Sequence, residues 1–286
     1  MSRTPTSLSP SNANIICALG DSLTYNNSLG VPPNLFYPHQ VAKLLNAAGA
    51  NVRDRNFGRS GDSTGMAWAR IGFCTYREIP QLAVLFLGTN DLNAGKFGTV
   101  QASPAPTTTS CSVTAGVGQY MPAGTYIQVN GISVQVATQV ADALTWANPI
   151  TLPVVGQQVN CDTQAALIAM VNWFKALSAS MKVLVVGHHY QNYSAGSYDT
   201  ITTQNPTLAT LRGLQSAAAA ACGVPYVDMY AFMKARIVAG TDVQGSFSWH
   251  VLDQNVHLNA YGQSILAQAI VATIQAQAGW IAALSS

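Results

Sequence analysis

Charge is what this sequence has least of. Lys and Arg number 13 and Asp and Glu 11 in 286 residues, 8% in all, and the formal net charge is +2. Soluble domains usually carry about a quarter of their residues charged. A balance so thin leaves no basic surface for nucleic acid and no polybasic patch for a membrane. Long apolar runs are missing too. None reaches the ~20 residues that cross a bilayer, so the chain reads as soluble with no membrane span. The opening residues, Met1-Ser2-Arg3-Thr4-Pro5-Thr6-Ser7, lack the apolar core of a secretory signal. The compartment stays open between cytoplasm, secretion after processing and a virion. Cysteines number five, an odd count for a disulfide framework, and their spacing fits no zinc pattern. No metal and no cofactor is expected. The loop after the first strand carries no G-x-G-x-x-G, which disfavours a dinucleotide-binding protein.

What is present is core. Hydrophobic residues make up 49% of the chain, enough for one large α/β domain with an insertion. Ile15 to Leu19 reads as a buried strand that stops at Gly20-Asp21-Ser22-Leu23. Pro38 to Ala48 has a helical face of Val41, Leu44 and Leu45. Asn51 to Phe57 alternates as a second strand, and Leu82 to Leu87 is the continuous apolar run of a strand buried on both faces. After Asp162 or Thr163, a helix cap, come Leu167, Met170, Val171, Phe174 and Leu177 on one helical face. Lys182 to Gly187 is another strand, ending in His188-His189. Pro206 opens a helix that stops at Gly223, Pro225 to Met229 is a short strand, and Asn259 caps a last helix. Strands alternating with helices predict a mainly parallel sheet with helices on both sides.

From about residue 96 to 160 the composition shifts to Thr, Gly, Val and Gln, and helical periodicity disappears. Asn130-Gly131 between Thr125–Val129 and Ile132–Val136 is a strong hairpin signal, because both turn residues tolerate positive φ. Its register pairs Val129 with Ile132 and Ile127 with Val134, four apolar side chains on one face. The expected organisation is therefore residues 1–95 and 161–286 as the α/β/α domain and 96–160 as a β-rich insertion. A lone hairpin is barely stable, so that apolar face must be covered. Packing beside the site as a wall is the favoured expectation, and association with another subunit, as a homo-oligomer or larger assembly, is the alternative. Cys111 and Cys161, near the two ends of the insertion, are candidates for a bridge.

In an open α/β sheet, ligands bind beyond the carboxyl ends of the strands, and that is where Ser22 falls. A serine hydroxyl needs a base, an orienting partner for the base, and donors for the oxyanion. His257 lies just before the last helix, Gly61 offers an unobstructed backbone N–H, and Asn90 offers a side-chain amide.

Gly20-Asp21-Ser22-Leu23, Asn56 to Gly61, Gly88-Thr89-Asn90-Asp91 and Asp253 to Asn259 resemble, in order, the four blocks of the SGNH (GDSL) hydrolases. The resemblance implies a three-layer α/β/α sandwich, flavodoxin-like in plan, with Ser22 as nucleophile, His257 as base, and an oxyanion hole of Ser22 N–H, Gly61 N–H and Asn90. The family usually places its acid three residues before the His, where this chain has Gln254. Asp253, one residue further back, is the first candidate, Asp242 the reserve, and a Ser–His dyad oriented by a backbone carbonyl the third. Tyr25, His188 and His189 are candidates for lining the substrate pocket. The implied activity is a metal-independent serine esterase acting on small acyl or aryl esters. The runner-up is a carbohydrate O-acetylesterase, with the insertion as a binding module in a phage-tail or cell-surface assembly. The partner in either case is a small-molecule or glycan ester.

Overall fold

The computed structural model describes residues 13–25, 31–92, 97–189, 206–238, 251–252 and 257–285. In chain order the first elements are β1 (Asn14–Gly20), α1 (Tyr37–Ala47), β2 (Val52–Gly58), α2 (Thr64–Ala69) and β3 (Leu82–Phe86). A run of short strands follows: β4 (Gly98–Thr99), β5 (Ser110–Ser112), β6 (Tyr126–Val129), β7 (Ile132–Val140), β8 (Ala143–Trp146) and β9 (Gln158–Cys161). The α/β alternation then resumes with α3 (Thr163–Leu177), β10 (Lys182–Val186), α4 (Pro206–Cys222), β11 (Tyr226–Val227) and α5 (Met229–Val238). Last come β12 (Val251–Leu252), β13 (His257–Leu258), α6 (Ala260–Gln275) and α7 (Trp280–Ala283).

Five strands form one parallel sheet in the order β2-β1-β3-β10-β11. Side chains alternate across it and divide the core in two. Ile16 and Ala18 of β1, with Leu82, Val84 and Phe86 of β3, face a layer built from α1, α5 and α6. Cys17, Leu19, Ala83 and Leu85 face the opposite layer of α2, α3 and α4. Because β1 and β3 are buried on both faces, their sequences read as unbroken apolar runs. The parallel sheet with helices on both sides is as the alternation of elements predicts, and the three-layer sandwich is as the resemblance implies.

Residues 98–161 form a separate antiparallel sheet, β4-β9-β6-β7-β8-β5. Its two end strands also meet. Val100 bridges Val113, Gln101 N–H donates to Ser112 O at 2.8 Å, and Thr114 N–H donates to Thr99 O at 3.1 Å. The sheet thus closes on itself as a small barrel, which removes its exposed edges. The Asn130-Gly131 turn has φ of 55° and 68° and the predicted register. Ile127, Val129 and Val134 are buried with Val136, Leu144, Trp146 and Val159 in the barrel's own core. This corrects the expectation that the hairpin's apolar face covers the catalytic site or another subunit: closure supplies the cover from within. Ile132 also departs from its predicted burial. It is the first residue past the turn, at the barrel's end, and remains 38% exposed. Cys111 and Cys161 share that core with no disulfide between them, so the expected bridge is absent. Between residues 97 and 161 Asp142 is the only charged side chain.

The barrel is seated on the start of α2. Ser63 Oγ donates to Tyr120 O at 3.2 Å and Thr125 Oγ1 to Gly65 O at 3.3 Å. Gly65 permits this approach, since a Cβ there would lie 2.5 Å from Thr125 Cγ2 and 2.9 Å from Tyr120 O.

Candidate active site

The sheet order places a topological switch at β1 and β3. The chain leaves β1 toward β2 on one side, and β3 continues toward β10 on the other. In such sheets the crevice at the carboxyl ends of the two switch strands is where ligands bind. Both candidate loops open there: 20–25 after β1 and 88–92 after β3.

The first loop is a tight turn. Asp21 O accepts from Thr24 N–H at 3.2 Å and Tyr25 N–H at 3.0 Å, and Asp21 Oδ1 accepts from Leu23 N–H at 2.9 Å. Asp21 is fully buried, a brace for the loop. Gly20 has no room for a side chain, because a Cβ would lie 1.8 Å from Thr24 Oγ1. This geometry lifts Ser22, half-buried, to the apex of the turn. Below it Gln263 of α6 accepts from Tyr37 N–H at 2.8 Å and donates to Leu23 O at 3.3 Å.

His257 reaches the same point from the far end of the chain. It sits in β13, paired antiparallel with β12, directly before Asn259, whose Oδ1 caps α6 by accepting from Gly262 N–H at 2.8 Å. The ring Nε2 is 2.9 Å from Ser22 Oγ across 235 residues of sequence. That is a hydrogen bond between a hydroxyl and an imidazole nitrogen, the contact a nucleophile–base pair requires. Asp253 and Asp242 lie outside the described residues.

The oxyanion candidates come together through Asp62. Gly61 adopts φ of +79°, a left-handed conformation that suits glycine. The next carbonyl, Asp62 O, accepts from Asn90 Nδ2 at 3.0 Å. Arg59 N–H donates to Gly20 O at 3.0 Å, which holds this loop against the end of β1. Asp91, buried beside Asn90, accepts from Thr64 N–H at 2.9 Å, Thr64 Oγ1 at 2.8 Å and Thr163 Oγ1 at 2.7 Å. The loops after β2 and β3 and the start of α3 are thereby one unit.

The pocket candidates fare differently. Tyr25 is 40% exposed beside Ser22. His188 and His189 are fully buried, a core position rather than a pocket lining. Their rings stack with centroids 4.6 Å apart. Adjacent residues can stack here because the chain has left β10 at Val186, where strand alternation ends. His188 N–H donates to Gln215 Oε1 at 2.9 Å. Burial, aided by the nearby Arg212 charge, pushes the His188 pKa down to about 4 and keeps the ring neutral. Among the described residues no group of three or more His, Cys, Asp or Glu is placed to hold a metal. No helix among them is long and apolar enough to cross a membrane.

Arg70 and Asp62 escaped the sequence reading; Asp91 reads as a loop-bracing acceptor, but its partners Thr64 and Thr163 do not show. Arg70 carries the one usable signal, a cation closing the apolar run Ala67-Trp68-Ala69 in a chain that spends charge sparingly. Their pairings depend on contacts between separate loops.

A flavodoxin-ordered parallel sheet with a serine–histidine pair at its switch point defines the α/β/α hydrolases of SGNH type. The profile of the GDSL-like lipase/acylhydrolase family matches residues 18–265. The chain belongs to that family. Among solved structures, a lipase/acylhydrolase from Enterococcus faecalis aligns with a TM-score of 0.50 at 19% identity, covering 92% of this chain and 96% of that one. An acetyl xylan esterase variant from Geobacillus stearothermophilus aligns with a TM-score of 0.54 at 16% identity, covering 92% and 94%. TesA aligns with a TM-score of 0.51 at 17% identity, covering 92% and 99%. At these identities the likeness speaks to the fold. No relative is found among curated protein sequences.

Proposed function

We propose that this protein is a carboxylic ester hydrolase that works through an acyl-enzyme on Ser22. The observation that carries the reading is the 2.9 Å contact between Ser22 Oγ and His257 Nε2. In the reaction Ser22 Oγ attacks the ester carbonyl while its proton passes to Nε2. The charge that develops on the carbonyl oxygen is met by Ser22 N–H, Gly61 N–H and the Asn90 amide. The imidazolium returns its proton to the leaving alcohol. Water, deprotonated in turn by His257, then releases the acid. Asp253 is the first candidate to orient the imidazole, through the other ring nitrogen, and Asp242 the second. No step calls on a metal or cofactor.

Residues 1–95 and 161–286 act as the catalytic domain and 96–160 as an insertion. Its contacts with Ser63 and Gly65 set the barrel beside the oxyanion loop, where an insertion can shape the larger part of a substrate. A second reading, removal of acetyl groups from carbohydrate, is favoured by the acetyl xylan esterases among the similar folds. The barrel would then meet a neutral glycan, or a neighbouring subunit of a larger assembly.

The test is a panel of p-nitrophenyl esters of rising chain length beside acetylated xylan, with Ser22→Ala as control and a serine-reactive phosphonate as label. The reading expects hydrolysis that vanishes in Ser22→Ala and labelling at Ser22. A fully active Ser22→Ala protein, or a label on another serine, overturns it. Preference for acetylated xylan over acetyl p-nitrophenol selects the second reading.

A further inference from the structure

The three proposed oxyanion donors sit on three different loops; one guanidinium ties two of them together and reaches the third through Asp62. Arg70 follows α2, whose start is capped by Ser63 Oγ accepting from Met66 N–H at 3.2 Å. From there its side chain, 14% exposed, turns back under the site. Nη2 donates to Gly20 O at 3.0 Å, at the end of β1 and two residues before Ser22. Nη1 donates to Phe57 O at 2.7 Å, at the end of β2. Nε donates to the carboxylate of Asp62, itself fully buried and next to Gly61. Through its carbonyl the same Asp62 holds the Asn90 amide.

We propose that Arg70 is a positioning residue of this hydrolase: acting through Asp62, it sets the mutual placement of the Ser22, Gly61 and Asn90 donors. The inference rests on the ester-hydrolase reading above. Its physical basis is the planar fork of arginine, which offers N–H groups in fixed directions and so can hold the end of β1, the end of β2 and the loop after β2 at once; a lysine ammonium on a flexible stem cannot. Oxyanion donors act only when they are aimed at where the charge develops, and a displacement of ~1 Å can cost about 100-fold in rate. Arg70 touches neither the nucleophile nor the proposed oxyanion site, so its effect runs wholly through the loops it holds.

The experiment compares Arg70→Met, Arg70→Lys and Asp62→Asn, each alone and combined with Asn90→Ala, by kcat, KM, thermal midpoint and rate of phosphonate labelling at Ser22. Arg70→Met is expected to lower kcat and the labelling rate about 10- to 100-fold with KM within about threefold. Arg70→Lys recovers little, because charge alone does not replace the fork. In the Asn90→Ala background the Arg70→Met factor shrinks to about threefold or less, since one of the donors it places is already gone. An unchanged kcat, a loss carried by KM, or the same factor in both backgrounds overturns the proposal and leaves Arg70 a stabilising residue only. Should Arg70→Met fail to fold, Arg70→Lys and Asp62→Asn carry the same comparison. If wild type cleaves no ester of the panel, the ester reading fails by itself, and the labelling rate at Ser22 still decides the role of Arg70.

Discussion

Replacing Asp91 by alanine removes the acceptor on which two loops and the start of α3 converge. The buried carboxylate accepts from Thr64 N–H, Thr64 Oγ1 and Thr163 Oγ1 at 2.7–2.9 Å. Hydrogen bonds to a charged group contribute about 1.5–3 kcal/mol each, and an orphaned buried donor costs about 1–3 kcal/mol. The three are not independent. The two hydroxyls can rotate toward other acceptors, whereas the Thr64 N–H is fixed by the backbone. We therefore expect Asp91→Ala to lose about 3–5 kcal/mol rather than the full sum. In a chain of this size each kcal/mol moves the thermal midpoint by about 2–4 °C, so the drop is on the order of 10 °C. Asp91→Asn keeps one oxygen for Thr64 N–H and turns its amide toward the hydroxyl oxygens, and is expected to lose about 1–2 kcal/mol. Thermal unfolding, with amide exchange at Thr64, reads both. A midpoint for Asp91→Ala within about 2 °C of wild type, or an asparagine variant as damaged as the alanine one, would refute the reasoning.

The remaining predictions concern other links. With Asp253→Asn, activity is expected to fall strongly while the fold persists; if Asp253→Asn is near wild type and Asp242→Asn is not, Asp242 orients His257, and if neither matters the dyad holds. Gly65→Ala gains helix propensity worth about 1 kcal/mol but forces its new Cβ into Thr125 and the Tyr120 carbonyl. A net loss of about 1–3 kcal/mol is expected in thermal unfolding, and a stabilised variant would show that the barrel yields there. His188, with its pKa pushed down to about 4 from an ordinary 6.5, makes stability pH-dependent in a known direction. Between those pH values the unfolded chain binds a proton that the folded chain refuses, so this contribution is intact above about pH 6.5 and falls away as pH drops toward 4. It amounts to roughly 3 kcal/mol across the window. Urea unfolding at pH 7 and pH 4.5 is expected to show a smaller acid loss in His188→Asn than in wild type; equal losses would count against the assignment.

What the sequence determined by itself was local. Apolar runs such as Leu82–Leu87 have to be buried on both faces, and the alternation of strands with helices then forces a parallel sheet. Asn130-Gly131 dictates its own turn, and with it the register of β6 on β7. The four sequence blocks placed Ser22, Gly61, Asn90 and His257 at loops, because glycine and polar residues cluster where the chain leaves a strand. The short helix α2 does not show after β2, since its six residues behind the Ser63 cap make fewer than two turns, too few to show a period. Only the tertiary structure decided which loops meet. That β1 lies between β2 and β3 sets the loop of Ser22 beside the loops that carry Gly61 and Asn90, and the path of α6 carries His257 across to Ser22. The closure of six short strands into a barrel depends on pairings between residues as distant as Thr99 and Thr114, or Ile127 and Cys161, that no periodicity encodes. The same holds for the buried His188 and His189, whose polar rings read as candidates for the pocket lining until the packing around them is known. Arg70 makes the division plain: its charge is written in the sequence, but its three acceptors, Gly20 O, Phe57 O and the Asp62 carboxylate, converge only because the sheet sets the ends of β1 and β2 side by side.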